Sequence, residues 1–144
     1  MLMIRADIVR LIPHAGAMCL LNGVVRWDAA QISCVSHTHR DTENPLRVGG
    51  QLPAICGIEY AAQAMAVHGS LVGITANKPK GGYLVSLRNV DCRLRRLDNL
   101  EGDLIVDADR LIGEQSCVIY QFALRVGTIN VLSGRATVVL DAAT

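Results

Sequence analysis

The sequence predicts an α+β domain in which an antiparallel sheet of about six strands wraps around one long helix. Three observations predict this class. A nearly all-apolar run over residues 53–72 has the length of a helix of roughly five turns. Two strand-like runs precede it, over residues 20–27 and 31–38. Four extended segments follow it, and glycines separate them at short intervals, as in consecutive antiparallel strands.

The elements before the long helix are short. Residues 6–12 carry apolar side chains at helical spacing and end before Pro13, which predicts a short amphipathic helix. The two strand-like runs meet across residues 28–30 and predict a hairpin. Residues 40–52 are rich in turn formers and lead into the long helix.

Pro53 and Gly73 predict the ends of the long helix. Proline suits the first helical position, where its missing N–H costs nothing, and glycine suits the residue after the last turn. The later strands are predicted over residues 83–97, 103–112, 115–126 and 129–141. No repeat or long linker divides the sequence, so we expect one domain over residues 1–144.

Composition and charge exclude several classes of function. Hydrophobic residues make up 51% of the sequence and charged residues 19%, with five aromatic side chains in all, so the core must be aliphatic. Fourteen basic against thirteen acidic residues give no global field for nucleic acid or an anionic membrane. No apolar segment is long enough for a membrane span, and a cytoplasmic location is expected. Five dispersed cysteines predict reduced thiols, not a disulfide framework.

A carboxylate stands in the apolar helix. Glu59 falls in its second predicted turn, among residues that are apolar on almost every side, so we expect it to be enclosed. A buried carboxylate either pairs or stays protonated, and the protonated form is what a general acid needs. Gln63 follows one turn later on the same face. The alternative for Glu59 is an ion pair with an arginine from another element.

Four stretches resemble the hot-dog-fold 3-hydroxyacyl-(acyl carrier protein) dehydratases. They are the entry loop Ile12-Pro13-His14-Ala15-Gly16-Ala17-Met18-Cys19-Leu20-Leu21, the helix start from Pro53 to Gln63, Arg95-Arg96 with the later Gly102-Asp103, and Gly134-Arg135-Ala136-Thr137-Val138. They occur in the family's order across most of the chain. The resemblance implies a hot-dog fold, in which the sheet wraps around the central helix.

The sequence departs from that family at one catalytic position. The family's histidine precedes the helix acid by fourteen residues, and here that position is Pro45. Asn44-Pro45-Leu46-Arg47, followed by the helix that carries Glu59, is more similar to the dehydratase-like proteins of aryl-polyene pathways. The resemblance implies a substrate held on the phosphopantetheine of an acyl carrier protein and no cofactor of the protein's own.

Dehydration of a 3-hydroxyacyl thioester needs three groups. Glu59 suits the acid that protonates the leaving hydroxyl, and Gln63 suits its orientation. Free amides at the helix start suit the thioester carbonyl. The predicted substrate-binding residues are Gln63, Ala54, Ile55 and Gly57.

The base must come from among four histidines. His14, on the entry loop, is the catalytic candidate, with a loop-anchoring hydrogen bond as the alternative. His68 is about 13 Å along the helix axis from Glu59, too far to act on the same carbon. His37 and His39 are expected to alternate on one strand and share a face. Two such imidazoles can bind a metal, but with no third ligand nearby the sequence favours a solvated or hydrogen-bonded pair.

The sequence contains one cluster of basic residues. Arg93, Arg95 and Arg96, with nearby Arg88, Lys78 and Lys80, fit the acidic surface and phosphate of an acyl carrier protein, and the alternative is a solvated sheet face. By the resemblance we also expect a homodimer, or a heterodimer with a hot-dog paralogue. The other functions considered are a hot-dog thioesterase and a catalytically silent subunit that completes a paralogue's active site.

Overall fold

The computed structural model describes residues 1–12, 16–75, 82–113 and 116–140. This part of the chain contains seven strands and two α-helices. They are β1 (Met3–Ile4), α1 (Arg5–Val9), β2 (Gly23–Asp28), β3 (Gln31–Ser36), α2 (Gly57–Thr75), β4 (Gly82–Cys92), β5 (Leu104–Gly113), β6 (Cys117–Val126) and β7 (Ile129–Leu140). Short 3₁₀ turns lie at Gly16–Met18, Thr38–Arg40 and Ala54–Cys56.

All seven strands form one antiparallel sheet in the order β1-β2-β3-β5-β6-β7-β4. The long helix α2 lies against β3, β5 and β6 in the middle of this sheet. The predicted α+β class and the central helix are therefore confirmed. The sheet has one more strand than predicted, because β1 is two residues long and too short for a periodic sequence signal.

The hairpins lie where the sequence predicts turns, but some strands end before the predicted residue. Asp28 closes the β2–β3 hairpin, since its Oδ1 accepts hydrogen bonds from the N–H groups of Ala30 (2.7 Å) and Gln31 (3.1 Å). The second predicted strand ends at Ser36, and a 3₁₀ turn begins at Thr38. The fourth strand ends at Cys92, short of the predicted residue 97.

The ends of α2 differ from the prediction. Pro53 is extended, with φ −57° and ψ 140°, and caps a 3₁₀ turn that precedes the α-helix at Gly57. Gly73 does not end the helix, which continues to Thr75. Glycine inside a helix costs only about 1 kcal/mol relative to alanine, which is small enough for a helix to continue through it. The first helix spans Arg5–Val9 and so begins and ends earlier than residues 6–12.

The core lies between α2 and the inner face of the sheet. Strand β6 illustrates the pattern, since alternate side chains from Val118 to Val126 are buried. The buried hydrophobic residues are mostly aliphatic, as the composition predicts. All five cysteines are free thiols, and they lie in core, half-buried and exposed positions. In the described ranges, no helix has the length and apolar character needed to cross a membrane; the cytoplasmic location stays a prediction.

Candidate active site

Glu59 lies in the first turn of α2 and is half-buried. The expectation that apolar residues enclose this side chain is wrong, because solvent reaches part of it. Its Oε1 lies 3.4 Å from Nε2 of Gln63, one turn further along the helix. The two side chains therefore share one face, as their spacing predicts. A carboxylate in this position is reachable from outside the core.

The amide of Gln63 is fixed by the entry loop. Gln63 is fully buried. Its Oε1 accepts a hydrogen bond from the N–H of Leu20 at 2.9 Å, and its Nε2 donates to the carbonyl oxygen of Met18 at 2.7 Å. Because one partner only donates and the other only accepts, the amide has one orientation, and its Nε2 faces Glu59. Gln63 thus orients Glu59 and ties the entry loop to α2.

A buried polar network lies beside Glu59. The hydroxyl of Tyr60 is 2.8 Å from Oγ1 of Thr38 and accepts a hydrogen bond from Nδ2 of Asn44 at 3.0 Å. Thr38 Oγ1 also donates to the carbonyl oxygen of Leu20 at 2.7 Å, and Ser36 Oγ donates to the same oxygen at 2.6 Å. Burial raises the pKa of Tyr60, so its hydroxyl stays protonated at neutral pH.

This network holds the segment that replaces the family's histidine. Asn44 directly precedes Pro45, and its Nδ2 also donates to the backbone oxygen of Thr38 at 2.9 Å. Pro45 itself is exposed in a turn. Sequence reasoning missed the network. Asn44 and Tyr60 both lie within the motifs that carry the resemblance, but no local pattern indicates that they meet.

One of the two predicted free amides at the helix start is already used. The N–H of Ala54 donates to the carbonyl oxygen of Arg95 at 3.0 Å, so it is unavailable to a substrate. Within the described residues, no oxygen accepts a hydrogen bond from the N–H of Ile55, and the side chain of Ile55 is 50% exposed. Ile55 therefore retains the predicted ability to donate to a carbonyl oxygen.

Gly57 lies directly on the sheet. A Cβ built on this residue would be 2.9 Å from side-chain methyl carbons of both Leu124 and Leu132. Any larger residue would require these leucine side chains or the start of α2 to shift. The packing accounts for this glycine without a substrate contact, and its substrate-binding role stays a prediction.

The predicted pair of histidines on one strand is wrong. Strand β3 ends at Ser36, so His37 precedes a 3₁₀ turn and is exposed, while His39 lies inside that turn and is fully buried. His39 Nε2 donates to the carbonyl oxygen of Leu100 at 3.1 Å. Burial lowers the pKa of His39, which keeps the ring neutral. No group of three or more potential metal ligands occurs in the part of the chain that the structure describes.

His68 has a structural environment, as predicted. Its Nε2 lies 2.7 Å from the carbonyl oxygen of Asp28, and its Nδ1 lies 2.7 Å from the hydroxyl of Tyr120. Since the carbonyl can only accept, Nε2 carries the proton and Nδ1 accepts from Tyr120. Burial lowers the pKa of His68. The remaining candidate base, His14, lies outside the described residues.

The three arginines of the predicted docking patch differ in their surroundings. Arg93 is exposed and pairs with Asp91 at 3.0 Å. Arg95 is also exposed. Arg96 pairs with Asp98 through two hydrogen bonds, and this guanidinium holds the pKa of Asp98 well below its usual range. Arg96 is thus already engaged. Lys78 and Lys80 lie outside the described residues.

The antiparallel sheet wrapped around one central helix defines a protein with the hot-dog fold. A family model described as ApeP-like, ApeP dehydratase, matches residues 6–143. The chain belongs to this family, and the resemblance to the dehydratase-like proteins of aryl-polyene pathways is confirmed.

Solved structures support the fold. A structure of the dehydratase heterocomplex ApeI:P from Xenorhabdus doucetiae is similar over 94% of this chain and 91% of that chain, with 21% identity and a TM-score of 0.83. Zebra fish thioesterase superfamily member 2 is similar over 95% of both chains, with 13% identity and a TM-score of 0.66. A mutant thioesterase from Pseudomonas aeruginosa has 14% identity and a TM-score of 0.60 over 82% of this chain and 79% of that one. No curated protein sequence matches significantly.

Proposed function

We propose that this protein dehydrates 3-hydroxyacyl thioesters held on an acyl carrier protein, with Glu59 as the general acid. One observation carries the proposal. Glu59 is reachable at the start of the central helix, and Nε2 of the fixed Gln63 amide lies 3.4 Å from its Oε1. An acid held in one orientation beside an accessible surface is what protonation of a leaving hydroxyl requires.

The reaction assigns one task to each group. A base removes a proton from C2 of the acyl chain, and the electron pair forms the C2–C3 double bond. The C3–O bond breaks, and Glu59 gives its proton to the departing hydroxyl, which leaves as water. The free N–H of Ile55 donates to the thioester carbonyl oxygen, where negative charge develops. Glu59 regains a proton when the base returns the one it removed to solvent.

His14 is the base in this proposal. The entry loop that carries it is anchored at Met18 and Leu20 by the same Gln63 amide that orients Glu59. Position 14 is four residues before Met18 in the sequence. The described histidines are less suitable, since His39 and His68 are buried and neutral in structural hydrogen bonds. His37 is exposed, beyond the end of β3.

Arg95 and Arg93 are proposed to receive the carrier protein. Arg95 is exposed, and within the described residues no carboxylate pairs with it, so it is available to an acidic partner. Arg93 shares an exposed pair with Asp91, which a phosphate or carboxylate can exchange at little cost. Arg96 is less available to the carrier protein, because its side chain is held by Asp98.

The edge strand β4 is the proposed surface for a second hot-dog chain. Its side away from β7 has no strand beside it among the described residues. Four of its aliphatic side chains are more than one third exposed: Leu84, Val85, Leu87 and Val90. Leu84 and Leu87 pair with Val138 and Ala136, and Val90 lies beside Gly134, which puts these three on the helix side of the sheet. A partner strand would pair the open edge, and the partner's helix would cover these side chains. The similar ApeI:P structure is a heterocomplex, which favours a hot-dog paralogue as the partner.

The test is an assay with carrier-protein thioesters. The protein is incubated with 3-hydroxyacyl and with saturated acyl substrates, alone and with a co-expressed hot-dog partner. We expect water loss from the 3-hydroxyacyl substrate and a loss of at least roughly a hundredfold in rate for Glu59→Gln. The matched control is Glu101→Gln, which changes an exposed carboxylate in the β4–β5 connection.

Each other outcome has a definite meaning. Release of free thiol from both substrates would replace dehydration with thioester hydrolysis. Full activity of Glu59→Gln in the presence of the partner would mean that this chain supplies no acid, and would contradict the proposal.

A further inference from the structure

Two arginines stand opposite each other at the β4 edge of the sheet. Arg88 on β4 pairs in register with Arg135 on β7, and both are exposed. Residues directly opposite in an antiparallel pair share a face and have Cβ atoms about 5 Å apart. The sequence neighbours of Arg135, Gly134 and Ala136, are buried on the helix side. Arg88 and Arg135 therefore lie together on the outer face.

Neither guanidinium has a carboxylate partner in the described ranges. Nε of Arg135 lies 3.5 Å from Oε1 of Gln121, which is neutral. Asp91, the acidic residue of β4, is already paired with Arg93 at 3.0 Å. Arg88 and Arg135 together are therefore an uncompensated positive pair at the edge of the sheet.

Arg88 is near the middle of the open strand. The register of β4 against β7 shifts between Leu84 and Ser86 and again between Arg88 and Asp91. The regular stretch between these two bulges is Ser86–Arg88. A second copy of the chain that continued the sheet about a two-fold axis would be centred on this stretch. It would place Arg88 directly or diagonally opposite its own counterpart, within about 8 Å.

Self-pairing would therefore align four arginines across four adjacent strands. Strands in a sheet are about 4.8 Å apart, so each Arg88 would meet another Arg88 on one side and Arg135 on the other. Like charges directly opposite destabilise strand pairing, by roughly two- to five-fold in affinity for each new pair. A partner with a carboxylate at that position would gain by a similar factor.

We propose that Arg88 and Arg135 make the β4 edge select a different hot-dog chain over a second copy of this one. The selected chain presents a carboxylate opposite Arg88. The apolar side chains of β4 supply most of the attraction to any hot-dog edge, and the two arginines supply the discrimination. This inference rests on the proposed heteromeric assembly and names the chemistry by which the partner is recognised.

Self-association of the purified chain tests the repulsive half of the proposal. The double variant Arg88→Ser/Arg135→Ser is expected to self-associate about two- to five-fold more tightly than the wild type in sedimentation experiments at low salt, because the one new like-charge pair is removed. The matched control is Arg10→Ser/Arg26→Ser, which removes the same charge from exposed positions just after α1 and on β2. The control should behave like the wild type. Thermal unfolding of each variant verifies that it is folded.

The Arg88→Glu variant serves as a carboxylate-bearing probe for the attractive half. Labelled wild type mixed with this variant should associate about ten-fold more tightly than wild type with itself, and the gain should shrink in high salt. The inference would be overturned if the wild type self-associated as tightly as the double serine variant. It would also be overturned if the wild type bound the Arg88→Glu variant no more tightly than it binds itself. Both readouts use this chain alone, so their failure is distinguishable from failure of the dehydration assay.

Discussion

Nε2 of Gln63 lies between two acceptors, the carbonyl oxygen of Met18 at 2.7 Å and Oε1 of Glu59 at 3.4 Å. The contact with Met18 fixes the orientation of the Gln63 amide, and the contact with Glu59 in turn orients the Glu59 carboxylate. Gln63 is fully buried, whereas Glu59 is half-buried. The site is therefore built with its rigid polar group inside the protein and its proposed acid at the surface.

Replacing Gln63 with leucine should destabilise the fold. The substitution leaves the N–H of Leu20 and the carbonyl oxygen of Met18 without partners. An unpartnered buried polar group costs about 1–3 kcal/mol, so we expect a loss of roughly 2–4 kcal/mol in the free energy of unfolding. Urea unfolding measures it. Gln51→Leu, at an exposed position, is the control and should change stability by less than about 0.5 kcal/mol. Equal effects of the two variants would contradict the role given to Gln63.

The hydroxyl of Tyr60 should be energetically coupled to Asn44. Tyr60→Phe removes a hydrogen bond of 2.8 Å to Thr38 and one of 3.0 Å from Asn44 while keeping the ring. We expect each of Tyr60→Phe and Asn44→Ala to cost about 1–2 kcal/mol in unfolding free energy. Because they share a contact, the double variant should lose less than the sum, by at least about 0.5 kcal/mol. Strict additivity in a double-mutant cycle would show that the two side chains act independently.

The sequence predicts the order of the elements because that order is encoded locally. Glycines at the strand ends, turn formers around Asp28 and the apolar period of α2 each act within a few residues, and the structure has the helix and strands in the predicted order. The predicted ends of the helices and strands are less accurate. Helix α2 runs past Gly73 to Thr75, and two-residue β1 has no periodicity to detect.

The site could be predicted only where its contacts are local. Glu59 and Gln63 are one helical turn apart, so their shared face follows from spacing. The partners of Gln63 are 43 and 45 residues away, and the carbonyl of Arg95 that occupies the Ala54 amide is 41 residues from it. Such contacts depend on which strands neighbour one another, and no pattern along the chain specifies them.

The pair between Arg96 and Asp98 should contribute to stability above the ordinary pKa of an aspartate. Asp98 Oδ1 accepts hydrogen bonds from Nε of Arg96 at 3.1 Å and from the N–H of Leu52 at 2.8 Å. Arg96 depresses the pKa of Asp98, so the stabilisation is present above about pH 4 and is lost as the pH falls through the folded-state pKa.

Asp98→Asn is the corresponding variant. We expect it to lower the midpoint of thermal unfolding at neutral pH, because the neutral amide loses the charge-assisted contact with Arg96. The gap to the wild type should narrow in acid. The matched control is Asp91→Asn, which removes the carboxylate from the exposed pair with Arg93 and should leave the midpoint unchanged. A gap that is the same at neutral and acid pH would contradict the depressed pKa.

Acid should also destabilise the protein through its buried histidines. Burial lowers the pKa of both His39 and His68. Above about pH 6.5 each ring is neutral in the folded and the unfolded chain, so neither favours unfolding. Below that pH the two histidines bind protons in the unfolded chain but not in the folded protein. The free energy of unfolding therefore falls with pH until the folded-state pKa is passed. Urea unfolding between about pH 7.5 and about pH 5 measures this slope.

A variant that cannot titrate separates this effect from general acid sensitivity. His68→Gln should be less stable than the wild type at about pH 7.5, because glutamine reproduces the hydrogen bonds to Asp28 and Tyr120 poorly. Its stability should nevertheless fall less steeply toward about pH 5, since one of the two buried rings is gone. His37→Gln, at an exposed position, is the control for the loss of an imidazole and should be as stable as the wild type at about pH 7.5. If His68→Gln and the wild type lost stability in parallel, the neutral, buried state assigned to His68 would be wrong.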